Sequence, residues 1–176
     1  MDFTLPDDLV AYLARLDAFI EAEIAPLQGS DDNERFFDHR REWARTDFEG
    51  GGLPRPEWED LLAEAVRRAD AAGFHRLALP SEFGGNDGSN LWMAVIREHL
   101  AAKGLGLFND LQNEHSVVGN FPVILMLRDF GSEAQKAELI AGALEGRYSF
   151  AFGLTEPEHG SDATHMETRA QPEARN

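Results

Sequence analysis

The residues best suited to chemistry lie in one short stretch of the sequence, from Tyr148 to Ala163. The stretch begins with alternating aromatic residues, which are typical of a β-strand, and changes at Thr155 to polar and turn-forming residues. It offers a hydroxyl at Thr155 and a Gly next to a Ser at positions 160 and 161. Main-chain N–H groups beside a glycine can close on a phosphate because no side chain blocks the approach. The stretch therefore predicts a strand that leads into a ligand-binding loop.

Within this stretch, Leu154-Thr-Glu-Pro157 followed by Gly160-Ser-Asp162 resembles the signature of the acyl-CoA dehydrogenases. The same residue types also make ordinary surface turns, but their order and spacing are hard to obtain by chance. In that family the loop holds FAD, so the resemblance implies five cofactor-binding positions. They are an aromatic beside the flavin at Phe152, a backbone contact at Leu154, a donor to the ring edge at Thr155, and pyrophosphate contacts at Gly160 and Ser161.

Three further segments resemble the same family. Pro80-Ser-Glu-Phe-Gly-Gly85 matches a Pro-x-Glu-x-Gly-Gly segment, and Ser132-Glu-Ala-Gln135 is a typical helix entry with a capping box. The stretch from Phe108 to Gly119 corresponds to the wall of the acyl-chain pocket. The resemblance therefore implies substrate-binding positions at Leu111, Glu114 and Val118. The alternative for His115 and Glu114 is a hydrogen-bonded pair at a helix end, and we prefer this interpretation for His115.

The resemblance implies α,β-dehydrogenation of an acyl-CoA thioester in fatty acid metabolism, with FAD as cofactor and an electron-transfer acceptor. In the family the catalytic base, usually a Glu, comes from a C-terminal helical bundle that no part of this sequence matches. We therefore assign no catalytic residue and expect this N-terminal portion to be inactive alone. Oxidases and nitroalkane-oxidising relatives of the same fold are not distinguished.

Two alternatives stay open beside the enzyme interpretation. The chain could be a truncated paralogue that acts as a protein-interaction module or partner subunit, since a strand at Tyr148 would leave apolar residues without a neighbour. It could also be a truncated gene product without a function of its own. Homo- and hetero-oligomers are both compatible with the resemblance.

Composition excludes several other classes of function. With 32 acidic and 16 basic residues among 176, the formal net charge is −16, which disfavours nucleic acid as a partner. The absence of cysteine excludes disulfides, thiolate zinc sites and cysteine nucleophiles, and it fits a cytoplasmic protein. The histidines show no metal-ligand spacing. No apolar run has the length of a membrane span, and the first residues lack the basic start of a signal peptide.

The elements that carry these residues are predicted to be mostly helical. Apolar residues recur every three or four positions in a first helix, capped by Thr4 and ended by Pro26, and in others that start at Pro56 and Ser89. Residues 28–56 form a long connection with one or two helical turns, in which Arg40 and Arg41 pair with the local acids Asp38, Glu42 and Asp47. We predict an acyl-CoA dehydrogenase N-terminal helical domain over 1–146 and the first strands of an incomplete β-domain over 147–176.

Overall fold

The structure is a computed structural model that describes residues 4–110 and 115–171. The chain divides into two compact units, residues 1–121 and 122–176. Helices dominate the described residues, and the sheets are two short antiparallel hairpins, which confirms the predicted mostly α fold class. The predicted domain boundary at residue 146 stays a prediction.

The first unit contains helices and two-residue strands joined by short turns. A π-turn over Ile20–Ile24 connects the first two helices, and 3-10 turns occupy Asn33–Phe36 and Ser81–Phe83. The elements in chain order are α1 (Asp7–Phe19), α2 (Ala25–Gly29), α3 (Arg41–Arg45), β1 (Thr46–Asp47), β2 (Leu53–Pro54), α4 (Pro56–Ala71), α5 (Asn90–Ala101), β3 (Asn109–Asp110) and β4 (His115–Ser116). Strand β1 pairs with β2, and β3 pairs with β4.

The first helical stretch differs from the prediction at both ends. Helix α1 begins at Asp7 with Pro6 at the N-cap position, so Thr4 is not the capping residue. The stretch also continues past Pro26 to Gly29. The π-turn interrupts the regular hydrogen-bond register just before Pro26, so the missing proline N–H falls in the first turn of a new helical segment, where it is tolerated.

The core of the first unit is built from the apolar faces that the sequence spacing predicts. Its buried side chains from α1, the π-turn, α4 and α5 are Leu9, Tyr12, Leu13, Leu16, Ile20, Ile24, Trp58, Leu61, Ala65, Ala69, Ile96 and Leu100. The predicted starts at Pro56 and at Ser89 are confirmed, and the Ser89 hydroxyl accepts a hydrogen bond from the N–H of Trp92 at 3.2 Å. After α4, Gly85 lies so close to Leu79 that a Cβ atom would overlap the Leu79 carbonyl.

The connection over residues 28–56 is more ordered than predicted, since it contains a 3-10 turn, α3 and the β1–β2 hairpin. Its basic residues do pair with local acids. The guanidinium of Arg40 contacts Asp38 at 2.8 Å and Asp32 at 3.1 Å, and Arg41 contacts Glu42 at 3.8 Å. The contact of Asp47 at 3.9 Å is with Arg55 instead.

The second unit consists of a helical part and an irregular part. The helical part contains α6 (Pro122–Phe130), α7 (Glu133–Gln135), a π-turn (Lys136–Ile140) and α8 (Ala141–Leu144). The predicted capping box is present: the Ser132 hydroxyl accepts from the Gln135 N–H at 3.3 Å, and the Gln135 side chain accepts from the Ser132 N–H at 2.9 Å.

Residues 147–171 form an irregular chain apart from a 3-10 turn at Ala163–His165. The alternating aromatic segment from Tyr148 makes no strand pairing within the described part of the chain, and a strand needs a hydrogen-bonded neighbour to form. Among the described helices, none combines the length and the apolar character that crossing a membrane requires.

Candidate functional site

The candidate ligand loop leaves helix α8 at a fixed point. The N–H groups of Arg147 and Tyr148 donate to the Gly142 carbonyl at 2.8 and 3.2 Å. The Tyr148 hydroxyl donates to a Glu138 carboxylate oxygen at 3.1 Å, and its ring covers Gly142 so closely that a Cβ there would overlap it. These contacts anchor the start of the loop to the helical part of the second unit.

Glu156 holds the two arms of the loop together. Its carboxylate oxygens accept from the backbone N–H groups of Glu167 and Thr168, each at 2.8 Å. The backbones of Glu156 and His159 also exchange hydrogen bonds at 3.0 and 3.3 Å. The N–H of Glu167, followed by the donors of Thr168, stabilises the charged carboxylate and lowers the pKa of Glu156. Glu156 therefore shapes the loop, and both of its carboxylate oxygens are used in these hydrogen bonds.

Asp162 fixes the next turn of the loop. Its carboxylate accepts from the Thr164 hydroxyl and contacts His165 Nδ1, both at 2.6 Å, and these bonds lower the pKa of Asp162. Among the described residues, no group of three or more His, Cys, Asp and Glu could hold a metal ion. The polar side chains of this turn are therefore bonded to one another.

The five flavin candidates lie on both sides of Glu156 in the sequence and face solvent. Phe152 is 64% exposed, and Leu154, Thr155, Gly160 and Ser161 are exposed as well. Within residues 115–171 no hydrogen bond engages the last three of these. A Cβ at Gly160 would meet nothing within 4 Å, so the packing of the loop does not require glycine there. The free donors and the open backbone fit a ligand that needs hydroxyl and N–H groups, as FAD does.

The three substrate candidates fall in the first unit. Leu111 and Glu114 lie outside the described residues, and Val118 is fully buried in the core of that unit. His115, which we interpreted as a satisfied group, does have a partner: its Nε2 lies 2.8 Å from the carbonyl oxygen of Leu107. It belongs to strand β4 rather than to a helix end.

The sequence did not predict two buried polar contacts in the first unit. Arg45 contacts Asp110 at 2.6 Å, and Arg97 donates to the side-chain oxygen of Asn109 at 3.0 Å. Asn109 and Asp110 are both almost fully buried. No spacing or periodicity in the sequence identifies the arginine partners of these two residues.

Protonation of His115 is expected to weaken the first unit on acidification. Burial lowers the pKa of His115 from 6.5 to about 4, although the Leu107 carbonyl and the charge of Asp110 act in the opposite direction; His75 and Arg97 add to the lowering. The unfolded chain therefore binds its proton at a higher pH than the folded chain. The free energy of unfolding should fall by about 2–3 kcal/mol through this group as the pH drops from 6.5 to about 4.

Urea denaturation at several pH values between 4 and 7 checks this expectation. His115→Gln should flatten that part of the pH profile. His39→Gln is the matched control, because the side chain of His39 is 88% exposed and should leave the profile unchanged. An equally steep profile in His115→Gln would show that His115 does not contribute.

Known proteins match most of the chain. A family model described as "Acyl-CoA dehydrogenase, N-terminal domain" matches residues 30–147. Glutaryl-CoA dehydrogenase of Desulfococcus multivorans is 28% identical over 173 residues, which cover 97% of this chain and 37% of the relative. The 3-(aryl)acrylate reductase of Clostridium sporogenes is 29% identical over 175 residues, 98% of this chain and 38% of the relative.

A mammalian relative is also similar over a shorter region. The mitochondrial very long-chain specific acyl-CoA dehydrogenase of Rattus norvegicus is 33% identical over 138 residues, 78% of this chain and 19% of the relative. The chain thus spans less than two fifths of the length of these three relatives. No solved structure matches at a significant level. Because the family model covers more than half of the sequence, the chain belongs to the acyl-CoA dehydrogenase family.

Proposed function

We propose that this chain supplies the flavin-binding loop and part of the acyl-binding region of an FAD-dependent enzyme that dehydrogenates acyl-CoA thioesters. The observation that carries the proposal is that the hydrogen-bond donors of the loop are available to a ligand. Thr155, Gly160 and Ser161 stand in the order of the family signature, and no hydrogen bond within residues 115–171 engages them. Membership of the acyl-CoA dehydrogenase family supports the reaction class.

In this proposal each loop residue has a separate task. FAD, when bound, supplies the acceptor for the hydride that leaves the β-carbon of the acyl group. The Thr155 hydroxyl donates to the edge of the flavin ring, where a fixed donor stabilises added electron density. Ser161 and the backbone at Gly160 donate to the pyrophosphate, and Phe152 and Leu154 contact the ring system.

The acidic residues of the loop do not oppose this assignment. The carboxylates of Glu156 and Asp162 are bonded to N–H and hydroxyl groups of their own loop. Their charge is thereby partly compensated, which weakens their repulsion of a pyrophosphate. The net charge of −16 belongs to the whole chain and does not describe this site.

The substrate can be assigned only to a chemical class. The relatives carry names that refer to glutaryl-CoA, to 3-(aryl)acrylate and to very long-chain acyl-CoA, so their acyl groups differ widely. We propose an acyl-CoA thioester as substrate and an electron-transfer protein as the acceptor that reoxidises the flavin. A homo- or hetero-oligomeric assembly is compatible with both.

The visible absorption spectrum of the purified chain, after incubation with FAD and removal of free cofactor, tests the proposal. We expect a retained flavin band in the wild type and its loss in Thr155→Ala/Ser161→Ala, because the variant lacks the two hydroxyl donors. Ser149→Ala is the control, because it removes an exposed hydroxyl from the same stretch of the chain, and no hydrogen bond within residues 115–171 engages that hydroxyl. A colourless wild-type chain would contradict flavin binding by these residues.

A second candidate function, as a protein-interaction module, is favoured by the exposure of apolar side chains on the same loop. Phe150, Phe152, Leu154 and Met166 are all exposed in the second unit. Clusters of exposed apolar side chains are typical of surfaces that bind other proteins. Sedimentation velocity in the absence of FAD tests this candidate, and a monomer that binds no hydrophobic dye would count against it.

A further inference from the structure

A short segment of the first unit, residues 107–110, is fixed by groups from several other elements. The N–H of Leu107 donates to the side-chain oxygen of Gln28 in α2 at 2.8 Å. The carbonyl of Leu107 lies 2.8 Å from Nε2 of His115 in β4. Both backbone polar groups of this buried residue are therefore bonded to side chains that come from other parts of the fold.

Arg45 provides the link between this segment and the long connection. Its Nη1 contacts Asp110 at 2.6 Å, its Nε donates to the Phe36 carbonyl at 2.7 Å, and its guanidinium lies 4.3 Å from the centre of the Trp58 ring. The Asp110 side chain is fully buried, and that of Arg45 is 11% exposed. One side chain thus joins α3 to β3, to the 3-10 turn and to α4.

A second arginine holds the neighbouring residue of the same strand. Arg97 in α5 donates to Asn109 at 3.0 Å. Successive residues of a strand point to opposite sides, so the two arginines hold β3 from both sides. A ladder of two residues per strand is too short to fix a hairpin by itself.

Buried ion pairs of this kind contribute little to stability compared with an apolar replacement, because the cost of removing two charges from water offsets their attraction. Their better attested effect is to select one arrangement among several. The geometry of the Arg45–Asp110 pair suits the selection of one arrangement of the hairpin. The pair connects α3 and β3, which no strand pairing joins within residues 4–110 and 115–171.

We propose that Arg45 is a positioning residue that fixes the β3–β4 hairpin against the helical core. This gives the connection over residues 28–56 a role, since α3 presents the guanidinium to β3. The consequence for substrate rests on the proposed function: the hairpin lies in the segment from Phe108 to Gly119, which the family resemblance assigns to the acyl-chain wall. Arg45 would then affect which acyl chains bind without contacting them.

Amide hydrogen exchange of the complete 176-residue chain tests the positioning role. In Arg45→Met the amides of Leu107 and Val117, which donate to Gln28 and to Phe108, should exchange about tenfold faster or more. Amides in α4 should be unaffected in the variant that removes both charges, Arg45→Met/Asp110→Leu, which leaves no unpaired buried charge. Arg41→Met is the matched control in the same helix, since Arg41 makes only a surface contact with Glu42 at 3.8 Å among its ion pairs in the described part of the chain.

Two further variants separate positioning from stability. Arg45→Met/Asp110→Leu replaces the whole pair by apolar groups, so it should fold with a thermal midpoint near that of the wild type and still show the faster hairpin exchange. If Arg45→Met alone does not fold, the double variant still tests the positioning role of Arg45. Arg45→Lys should restore slow exchange only in part, because an ammonium does not reproduce the planar contacts with Asp110, Phe36 and Trp58. Unchanged hairpin exchange in the folded double variant would overturn the proposal.

Titration with octanoyl-CoA and hexadecanoyl-CoA by calorimetry tests the consequence for substrate. The ratio of the two dissociation constants should change by about threefold or more in the double variant and stay constant in Arg41→Met. If the wild type binds neither ligand, the proposed function fails, while the exchange result still decides the role of Arg45. If the ratio is constant although exchange is faster, the effect on acyl selection is excluded.

Discussion

We expect Trp58→Ala to lower the free energy of unfolding of the first unit by about 3–5 kcal/mol. Trp58 is 4% exposed, and its ring packs against Phe36 at 5.1 Å and Phe37 at 5.8 Å between ring centres. Arg45 lies over the same ring at 4.3 Å. Truncation therefore removes a large apolar side chain, two aromatic contacts and a cation–π contact at one point.

Trp43→Ala provides a control with the same chemical change on the surface. Trp43 is 66% exposed and contacts Phe48 at 4.9 Å, so its loss should cost about 1 kcal/mol or less. Urea denaturation followed by circular dichroism measures both. Equal losses in the two variants would show that Trp58 does not attach the long connection to the core.

The second large effect is expected for Asp110→Leu, which should lower the free energy of unfolding by about 3 kcal/mol. The substitution removes the carboxylate that lies 2.6 Å from Arg45 and leaves the guanidinium in a largely buried position. Burial already lowers the pKa of Arg45, and the charge of Asp110 opposes this effect. Without Asp110 the charged form of Arg45 loses that support.

The loss should be suppressed when Arg45→Met is added, because the double variant contains neither buried charge. A thermodynamic cycle of the two single variants and the double variant therefore gives a coupling between the two positions. Asp38→Leu, which breaks a surface pair with Arg40, is the control and should cause no comparable loss. Additive effects of Asp110→Leu and Arg45→Met would contradict the assignment of a buried pair.

Much of the helical fold could be predicted because its signals are local. The three- and four-residue spacing of apolar side chains predicts the buried face from Leu9 to Ile24, and the hydroxyls of Ser89 and Ser132 predict two helix starts. Each signal depends on residues within one or two turns. The structure confirms these elements.

The remaining features depend on residues far apart in the sequence. Arg45 and Asp110 are joined by packing of the first unit, and no periodicity marks them as partners. The β1–β2 and β3–β4 hairpins have strands of two residues, too short for a period-two pattern. The aromatic alternation from Tyr148 is a strand pattern, yet a strand also requires a partner that lies elsewhere.

In the candidate site, too, local features could be predicted from the sequence, and contacts between distant residues could not. The order of Thr155, Gly160 and Ser161 could be found from sequence because it is a local motif. The sequence also predicts that Glu156, within the turn signature, shapes the loop, but it does not identify the hydrogen-bond partners. These are the N–H groups of Glu167 and Thr168, which lie on the other arm of the loop. Of the three positions predicted for the acyl-chain wall, Val118 lies within the described residues, and it is buried in the core of the first unit.

The π-turn between α1 and α2 has a consequence for how chain length can vary within the family. Leu16, Ile20 and Ile24 are spaced by four residues twice in succession, and in a regular α-helix that spacing would rotate the last side chain by about 80° away from the first. The wider turn at Ile20–Ile24 reduces this rotation, and all three side chains stay buried. A relative with one residue fewer here can form an ordinary helix and keep both flanking faces toward the core. Single-residue insertions and deletions should therefore accumulate at Ile20–Ile24 rather than within α1.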